Sequence, residues 1–253
     1  FYLAAAYFIS RREGNVRMAR KQWLLTFLIG LTGYYLSSLF DFLGLQYISA
    51  GLERLILFLY PTFAVLINFI VFRQAVPRNQ WVALVLTYIG IGLALAGEVR
   101  ISATDANFWW GSFLVFLCAI TYSFYIVGSG KIIPRVGAMK FTAYAMLSAT
   151  VGVFMHYLVK GNFAQLGHTV SLLPYGFLLA IMATVAPSFL ISAAMKKIGS
   201  NNVAIISSIG PVSTILQAHW FLGEAVFAEQ IIGTALVMIG VLLLGWKQEK
   251  LAR

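Results

Sequence analysis

Charge is scarce in this chain: 8 of its 253 residues are acidic, 18 are basic, and charged residues make up 10% of the total. An ordinary soluble domain carries about 25% charged residues, so that class is excluded. Cysteine is nearly absent too. Cys118 alone can form neither an internal disulfide nor a Cys-based metal site, and it reads as a small packing residue inside an apolar run. Catalytic signatures are also missing, with no Gly-x-Ser-x-Gly nucleophile elbow and no His-Glu-x-x-His. Gly128-Ser129-Gly130-Lys131 has the close of a phosphate-binding loop. However, Tyr125 stands where its first glycine is required and Ile132 where its Ser/Thr is required. It reads as a helix end with a cytoplasmic lysine. His156, His168 and His219 are scattered and read as non-catalytic.

What the chain does have is apolar length. Hydrophobic residues make up 60% and mean hydropathy is +0.86. A membrane span needs roughly 20 mostly apolar residues. Eight such runs are predicted, at roughly 23–45, 52–72, 79–97, 107–128, 138–160, 173–195, 202–222 and 226–246. The fold class is therefore all-α integral membrane, with the lipid bilayer as a partner. Trp23, Trp81, Trp109, Trp110 and Trp246 stand at span ends, as interfacial anchors do.

The net charge of +10 would suggest nucleic acid in a soluble protein, but its distribution argues against such a partner. Of the basic residues, all but Arg54, Arg100 and Lys160 fall on alternate loops that share one side of the membrane. Glu98, Asp105, Glu224 and Glu229 lie on the other side. This positive-inside asymmetry places the C-terminus in the cytoplasm.

The chain also repeats itself, without a gap, at an offset of 150 residues. Ile48 matches Ile198, Ile56 matches Ile206, Pro61 matches Pro211, and Leu66 matches Leu216. The register continues through Gln80/Gln230, Ile89/Ile239, Gly90/Gly240 and Leu93/Leu243. One structural unit is used twice. In that register the apolar segment Phe1–Ser10 is the image of Val151–Lys160, the second half of a later span. The first unit is then expected to lack its first helix and most of its second. Ten helices in two sets of five are expected when it is intact, with about eight full spans and the tail of another here. Five is odd, so the two units enter the membrane from opposite sides, the inverted repeat of many secondary transporters. The expected boundaries are 1–97 for the first repeat, 98–106 for an outer linker, 107–246 for the second repeat and 247–253 for a cytoplasmic tail.

Ionisable groups in a span cost roughly 2.5–3.5 kcal/mol on insertion scales, so the few present are informative. Asp41 lies in one span, and Glu53 and Arg54 open the next across the tight segment Tyr47-Ile48-Ser49-Ala50-Gly51. At about 1.5 Å per residue an Asp41–Arg54 pair is feasible. It reads either as a structural ion pair or as a substrate or proton group, while Glu53 is expected near the outer interface. Tyr34, Ser38 and Asp41 share one helical stripe. Its image is Thr184, Ser188 and Ile191, polar without the acid. Tyr60 shares a face with Glu53, and the image of that face carries Ser207, extended by Gln217. Packing through small polar residues is the alternative to a cavity for the serines and threonines alone. Pro61 and Pro211 interrupt matched spans and Pro187 a third, as kinks or hinges. Gly90 and Gly240, with Gly92 and Gly233 nearby, are expected to let helices pack closely.

These features resemble the drug/metabolite transporter superfamily, EamA type, over essentially the whole chain. The stretches that carry the likeness are Tyr47-Ile48-Ser49-Ala50-Gly51 leading to Tyr60-Pro61-Thr62, and Ile209-Gly210-Pro211 leading to Leu222-Gly223-Glu224. Each precedes a last span ending in Ile-Gly. The resemblance implies a carrier in the bacterial inner membrane, moving metabolites such as amino acids, with a cavity lined by the third and fourth helices of each half. One departure is visible. The family pattern has Gly-Glu after the fourth helix of both halves, whereas Arg73-Gln74 replaces it in the first.

The expected function is thus secondary transport of small metabolites by alternating access, with export as the expected direction. Tyr34, Ser38, Asp41, Arg54, Tyr60, Ser188, Ser207 and Gln217 are the expected cavity residues. Asp41 is the expected proton-linked or amine-pairing group. No cofactor or metal is expected, and proton coupling stays open, as does the choice between monomer and homodimer. A membrane sensor or scaffold, and an intramembrane enzyme, remain as alternatives.

Overall fold

The computed structural model describes residues 1–11, 17–73, 78–102, 107–161, 172–206, 210–223 and 226–246. Helices α1 Tyr2–Ser10, α2 Arg20–Gly30 and α3 Ser37–Gly44 come first, then α4 Ala50–Leu57, α5 Tyr60–Phe72 and α6 Arg78–Ser102. Helices α7 Phe108–Val136, α8 Ala138–Lys160, α9 Leu173–Leu179, α10 Ala186–Ile206, α11 Gly210–Gln217 and α12 Ala228–Trp246 follow. Among the described residues there is no strand. In a bilayer this is the expected solution, because a helix satisfies its own backbone hydrogen bonds. Arg20–Gly44, Ala50–Val71, Phe108–Val136, Ala138–Lys160 and Leu173–Ile198 are each long and apolar enough to cross a membrane.

Local chemistry sets the element ends. The Ser49 hydroxyl caps α4 by accepting from the Leu52 amide at 3.1 Å. Gly137, at φ +89°, makes the tight reversal between α7 and α8. The loop expected between the spans 173–195 and 202–222 is instead helical, because α10 runs through to Ile206.

Three segments wind as π-helix: Leu31–Leu36, Ala180–Val185 and Ala218–Leu222. The first two fall within one residue of equivalent points of the repeat. Proline explains the second. Pro187 has no amide hydrogen and its ring clashes with the carbonyl four residues back, so the regular ladder cannot run through Ala183. The first segment has no proline, but Thr32 returns its hydroxyl to the carbonyls of Leu28 at 3.0 Å and Ile29 at 3.2 Å. Such back-bonding bends a helix. Pro61 is the second residue of α5. There the missing amide costs nothing. The chain breaks before Pro61, at Phe58 and Leu59, rather than kinking at it.

The chain forms two compact units, each drawing on both halves of the sequence. The first contains residues 1–35 and 128–200, and the second residues 36–127 and 201–253. In the first, α8 packs against α1 and α2. In the second, α6 packs along α12, its own image in the repeat, and α4 packs against α11 and α6. The α6–α12 crossing depends on glycine. A Cβ on Gly90 would sit 2.5 Å from the Gly233 carbonyl oxygen, and one on Gly233 would meet the Gly90 carbonyl. Gly92 has nothing within 4 Å and takes no part.

Residues 73 and 223, equivalent in the repeat, both adopt left-handed backbone, Arg73 at φ +50° and Gly223 at φ +69°. Arg73 caps α5 in that conformation. A side chain there costs roughly 1–2 kcal/mol, partly offset by the extra unfolded-state freedom of glycine. Arg73→Gly is therefore expected to stabilise the protein by about 0.5–1 kcal/mol. Thermal unfolding in detergent measures it, and an unchanged or lower midpoint would contradict the strain. Gln74 and Glu224 lie outside the described residues.

Candidate functional site

The second unit holds Asp41, Glu53 and Arg54 near the turn joining α3 to α4. Asp41 sits one turn before the end of α3, where its carbonyl accepts from the Leu45 amide at 2.9 Å. Glu53 sits in the first turn of α4 and Arg54 in its last. Glu53 is 1% exposed, so it does not reach the outer interface as the sequence led us to expect. Its Oε2 lies 3.4 Å from Arg54 Nε. The ion pair formed here is Glu53–Arg54, where the sequence led us to expect Asp41–Arg54. The start of a helix suits Glu53, since its charge faces the positive end of the α4 dipole.

The cluster is under-satisfied. Asp41 Oδ1, Glu53 Oε1 and Arg54 Nε are buried with no hydrogen-bond partner among the described residues. On the same helix Leu52, Leu55 and Ile56 are buried and apolar. Helix α7 closes the cluster from another side. A Cβ on Gly44 would lie 2.5 Å from Val115 Cγ2 and 2.9 Å from the Gly111 carbonyl oxygen, so α3 and α7 approach through two glycines. That approach brings the buried Cys118 thiol within the electrostatic reach of Asp41, Glu53 and Arg54. Sequence gave no sign of this neighbour, because no pattern in the chain relates Cys118 to the α3–α4 turn.

Tyr60 is buried and begins an aromatic ladder. Its ring stands edge-on to Phe58 at 5.5 Å and to Tyr122 at 5.1 Å, and Tyr122 stacks on Tyr125 at 5.8 Å. Ser38 is half-buried on α3, a turn before Asp41. Gln217 is exposed and donates from Nε2 to Ser213 Oγ at 2.7 Å. Ser207 lies outside the described residues.

Two expected site residues belong to the first unit. Tyr34 is half-buried within the π-helical segment, and Ser188 is 1% exposed near the start of α10. The Ser188 hydroxyl donates to the Val185 carbonyl at 2.8 Å and shares a 3.0 Å hydrogen bond with the Tyr2 hydroxyl. This unit also has an apolar cavity of about 200 Å³ lined by Trp23, Thr26, Phe27, Tyr144, Leu147, Ser148 and Val151. No sequence-predicted site residue lines it. Among the described residues no group of His, Cys, Asp or Glu could hold a metal ion.

Comparison with known proteins gives the following. The model of the EamA-like transporter family matches residues 1–96 and 109–246. "Uncharacterized transporter YcbK" of Bacillus subtilis (strain 168) is 30% identical over 208 residues, 81% of this chain. The chain spans 66% of that relative's length. An "Uncharacterized transporter" of Archaeoglobus fulgidus is 25% identical over 243 residues, 94% of this chain and 82% of its own. A solved crystal structure superposes with a TM-score of 0.66 over 100% of this chain and 86% of that one. At 17% identity that likeness supports the fold alone.

Proposed function

Because the chain belongs to the EamA-like transporter family, a family of multi-pass membrane transporters, we propose that it is a secondary carrier exporting small metabolites, such as amino acids or related compounds. It works across the bacterial inner membrane with its C-terminus in the cytoplasm. The two sequence repeats alternate access to a site whose lining includes Ser38, Asp41, Arg54, Tyr60 and Gln217 of the second unit. Pro61, Pro187 and Pro211 act as its hinges.

One observation carries this reading: buried charge left partly unpartnered beside the α3–α4 turn. Burying such groups without full satisfaction costs stability, so a role other than packing accounts for it better. Two carboxyls offer acceptors to a substrate amine or a proton, and the guanidinium offers a donor. The π-helical segments at matched positions support the same reading, because such bulges occur often at functional sites.

The test is flux. Inside-out vesicles carrying the protein are given a panel of labelled amino acids with and without an imposed pH gradient. Asp41→Asn is expected to lower the rate at least about tenfold, about 1.4 kcal/mol of barrier, and to flatten its pH dependence. Unchanged rate and pH dependence would remove Asp41 from the mechanism. Vesicles in which even the unsubstituted protein moves nothing would count against transport of this class.

A further inference from the structure

The apolar cavity of the first unit lies between α2 and α8, outside the candidate transport site. Three of its lining residues, Trp23, Phe27 and Val151, are 41%, 43% and 52% exposed, so it is a cleft that opens outward. Both of its walls belong to membrane-spanning segments, Arg20–Gly44 and Ala138–Lys160. In a bilayer such an opening meets lipid.

One end of the cleft is charged. The chain of α2 and its continuation runs parallel to α8, with Trp23 against the Tyr144 ring at 4.4 Å and Tyr35 hydrogen-bonded to His156 at 2.9 Å. Arg20 and Lys21 open α2 just before Trp23, and Lys140 lies in the first turn of α8, one turn before Tyr144. Arg20 and Lys21 are exposed, and neither pairs with a carboxylate among the described residues. Neither helix has an acid in its first turn. Cations at a helix start oppose its dipole, so this end of the cleft is matched to an anion. The geometry points to a phospholipid site: an anionic headgroup at Arg20 and Lys21, with one acyl chain laid in the cleft between α2 and α8.

The chemistry of the cleft fits that occupant along its length. Basic residues beside a span attract anionic lipid. Trp23, Phe27, Leu147 and Val151 offer an acyl chain an apolar bed. Thr26 also lines the cleft, is 1% exposed, and has a hydroxyl with no partner among the described residues. It lies three residues past Trp23, about 4.5 Å deeper along the helix. A phospholipid carries ester carbonyls between its headgroup and its chains, and one of these supplies the acceptor that Thr26 lacks. A zwitterionic lipid would fill the cleft but bring its own cation to Arg20 and Lys21. An apolar helix of a second copy would fill it and bring no anion. Such a site needs only a chain that lies in a membrane, and it stands or falls apart from transport.

Quenching of tryptophan fluorescence by brominated lipid tests the site on the full chain in liposomes. Bromine on an acyl chain quenches an indole that it touches. In phosphatidylcholine vesicles, brominated phosphatidylglycerol is expected to quench more than an equal fraction of brominated phosphatidylcholine. Trp23→Phe is expected to remove that excess, which locates it at the cleft. Val151→Phe fills the mouth and is expected to remove the excess with Trp23 still present. Arg20→Gln combined with Lys21→Gln is expected to weaken the preference at least about fivefold. Equal quenching by the two lipids would overturn the proposal, as would a preference unchanged in the charge variant. An excess that survives Val151→Phe would also overturn it, since the headgroup would then be held without a chain in the cleft. No quenching of Trp23 by either lipid, with a cross-linked dimer in the same vesicles, would mean that a second copy covers the cleft instead. If Val151→Phe does not elute as folded protein from a sizing column, the charge variant decides.

Discussion

Gly30→Ala is expected to be among the most destabilising single methyl additions in the described chain, at about 2 kcal/mol or more. Gly30 closes α2, which packs against α8 in the first unit. A Cβ there would run into the Ala145 carbonyl oxygen and the Ser148 hydroxyl. The serine could rotate, although it would give up its 2.6 Å bond to the same Ala145 carbonyl. The carbonyl cannot move unless the two helices separate. In a membrane this crossing has no hydrophobic effect to fall back on, because lipid tails are as apolar as leucine. Close backbone approach is what holds such pairs, and separating them forfeits many dispersion contacts at once. Overpacking costs roughly 1–3 kcal/mol and occasionally more, against a gain of about 1 kcal/mol in helix propensity.

Gly92→Ala supplies the control. Nothing lies within 4 Å of a Cβ there, so only the propensity gain applies and a slight stabilisation is expected. Thermal unfolding in a mild detergent compares the two. Equal midpoints for Gly30→Ala and Gly92→Ala would show that the α2–α8 approach is not tight.

How much of this was legible in the sequence depends on the range of the contacts involved. The spans were readable because a bilayer demands apolar length, and α8 occupies 138–160 as the hydropathy alone indicated. The repeat was readable because duplication leaves identities in register, and it gains physical meaning where α6 packs on its own image α12. Gly90 and Gly233 meet there, but the sequence had paired Gly90 with Gly240 by register. Register relates equivalent positions, and crossing helices touch at positions it does not relate. The same limit hid Cys118 from Asp41 and Glu53, since the Gly44–Gly111 approach that joins them is a three-dimensional match of small residues. Glu53 was misread for a different reason. Depth was counted along the helix, and a residue near a helix start was assigned to the interface. Burial here is set by α3 and α7 closing over the turn, which counting along one helix does not register.

The asymmetry of the repeat bears on the remaining large prediction, Arg54→Met. Asp41, Glu53 and Arg54 correspond to Ile191, Val203 and Ala204 in the second half, so the repeat carries no second copy of these charges. Removing the guanidinium leaves the buried Glu53 carboxylate without the cation beside it. Breaking a buried pair by taking one partner costs roughly 3–5 kcal/mol. With the Arg54 side chain 42% exposed, a figure nearer 2 kcal/mol is expected here. Methionine keeps much of the apolar stem, so the loss reflects charge rather than volume. Transport should fall more than stability does, by at least about tenfold at a temperature where the variant stays folded. Arg54→Lys separates the two effects of the residue. A lysine restores the charge but not the planar fork of donors, so stability is expected to return while the transport rate recovers only in part. Equal rates for Arg54→Met, Arg54→Lys and the unsubstituted protein in the same vesicles would leave the guanidinium a bystander. The cluster would then be a structural ion network that fastens α3 to α4.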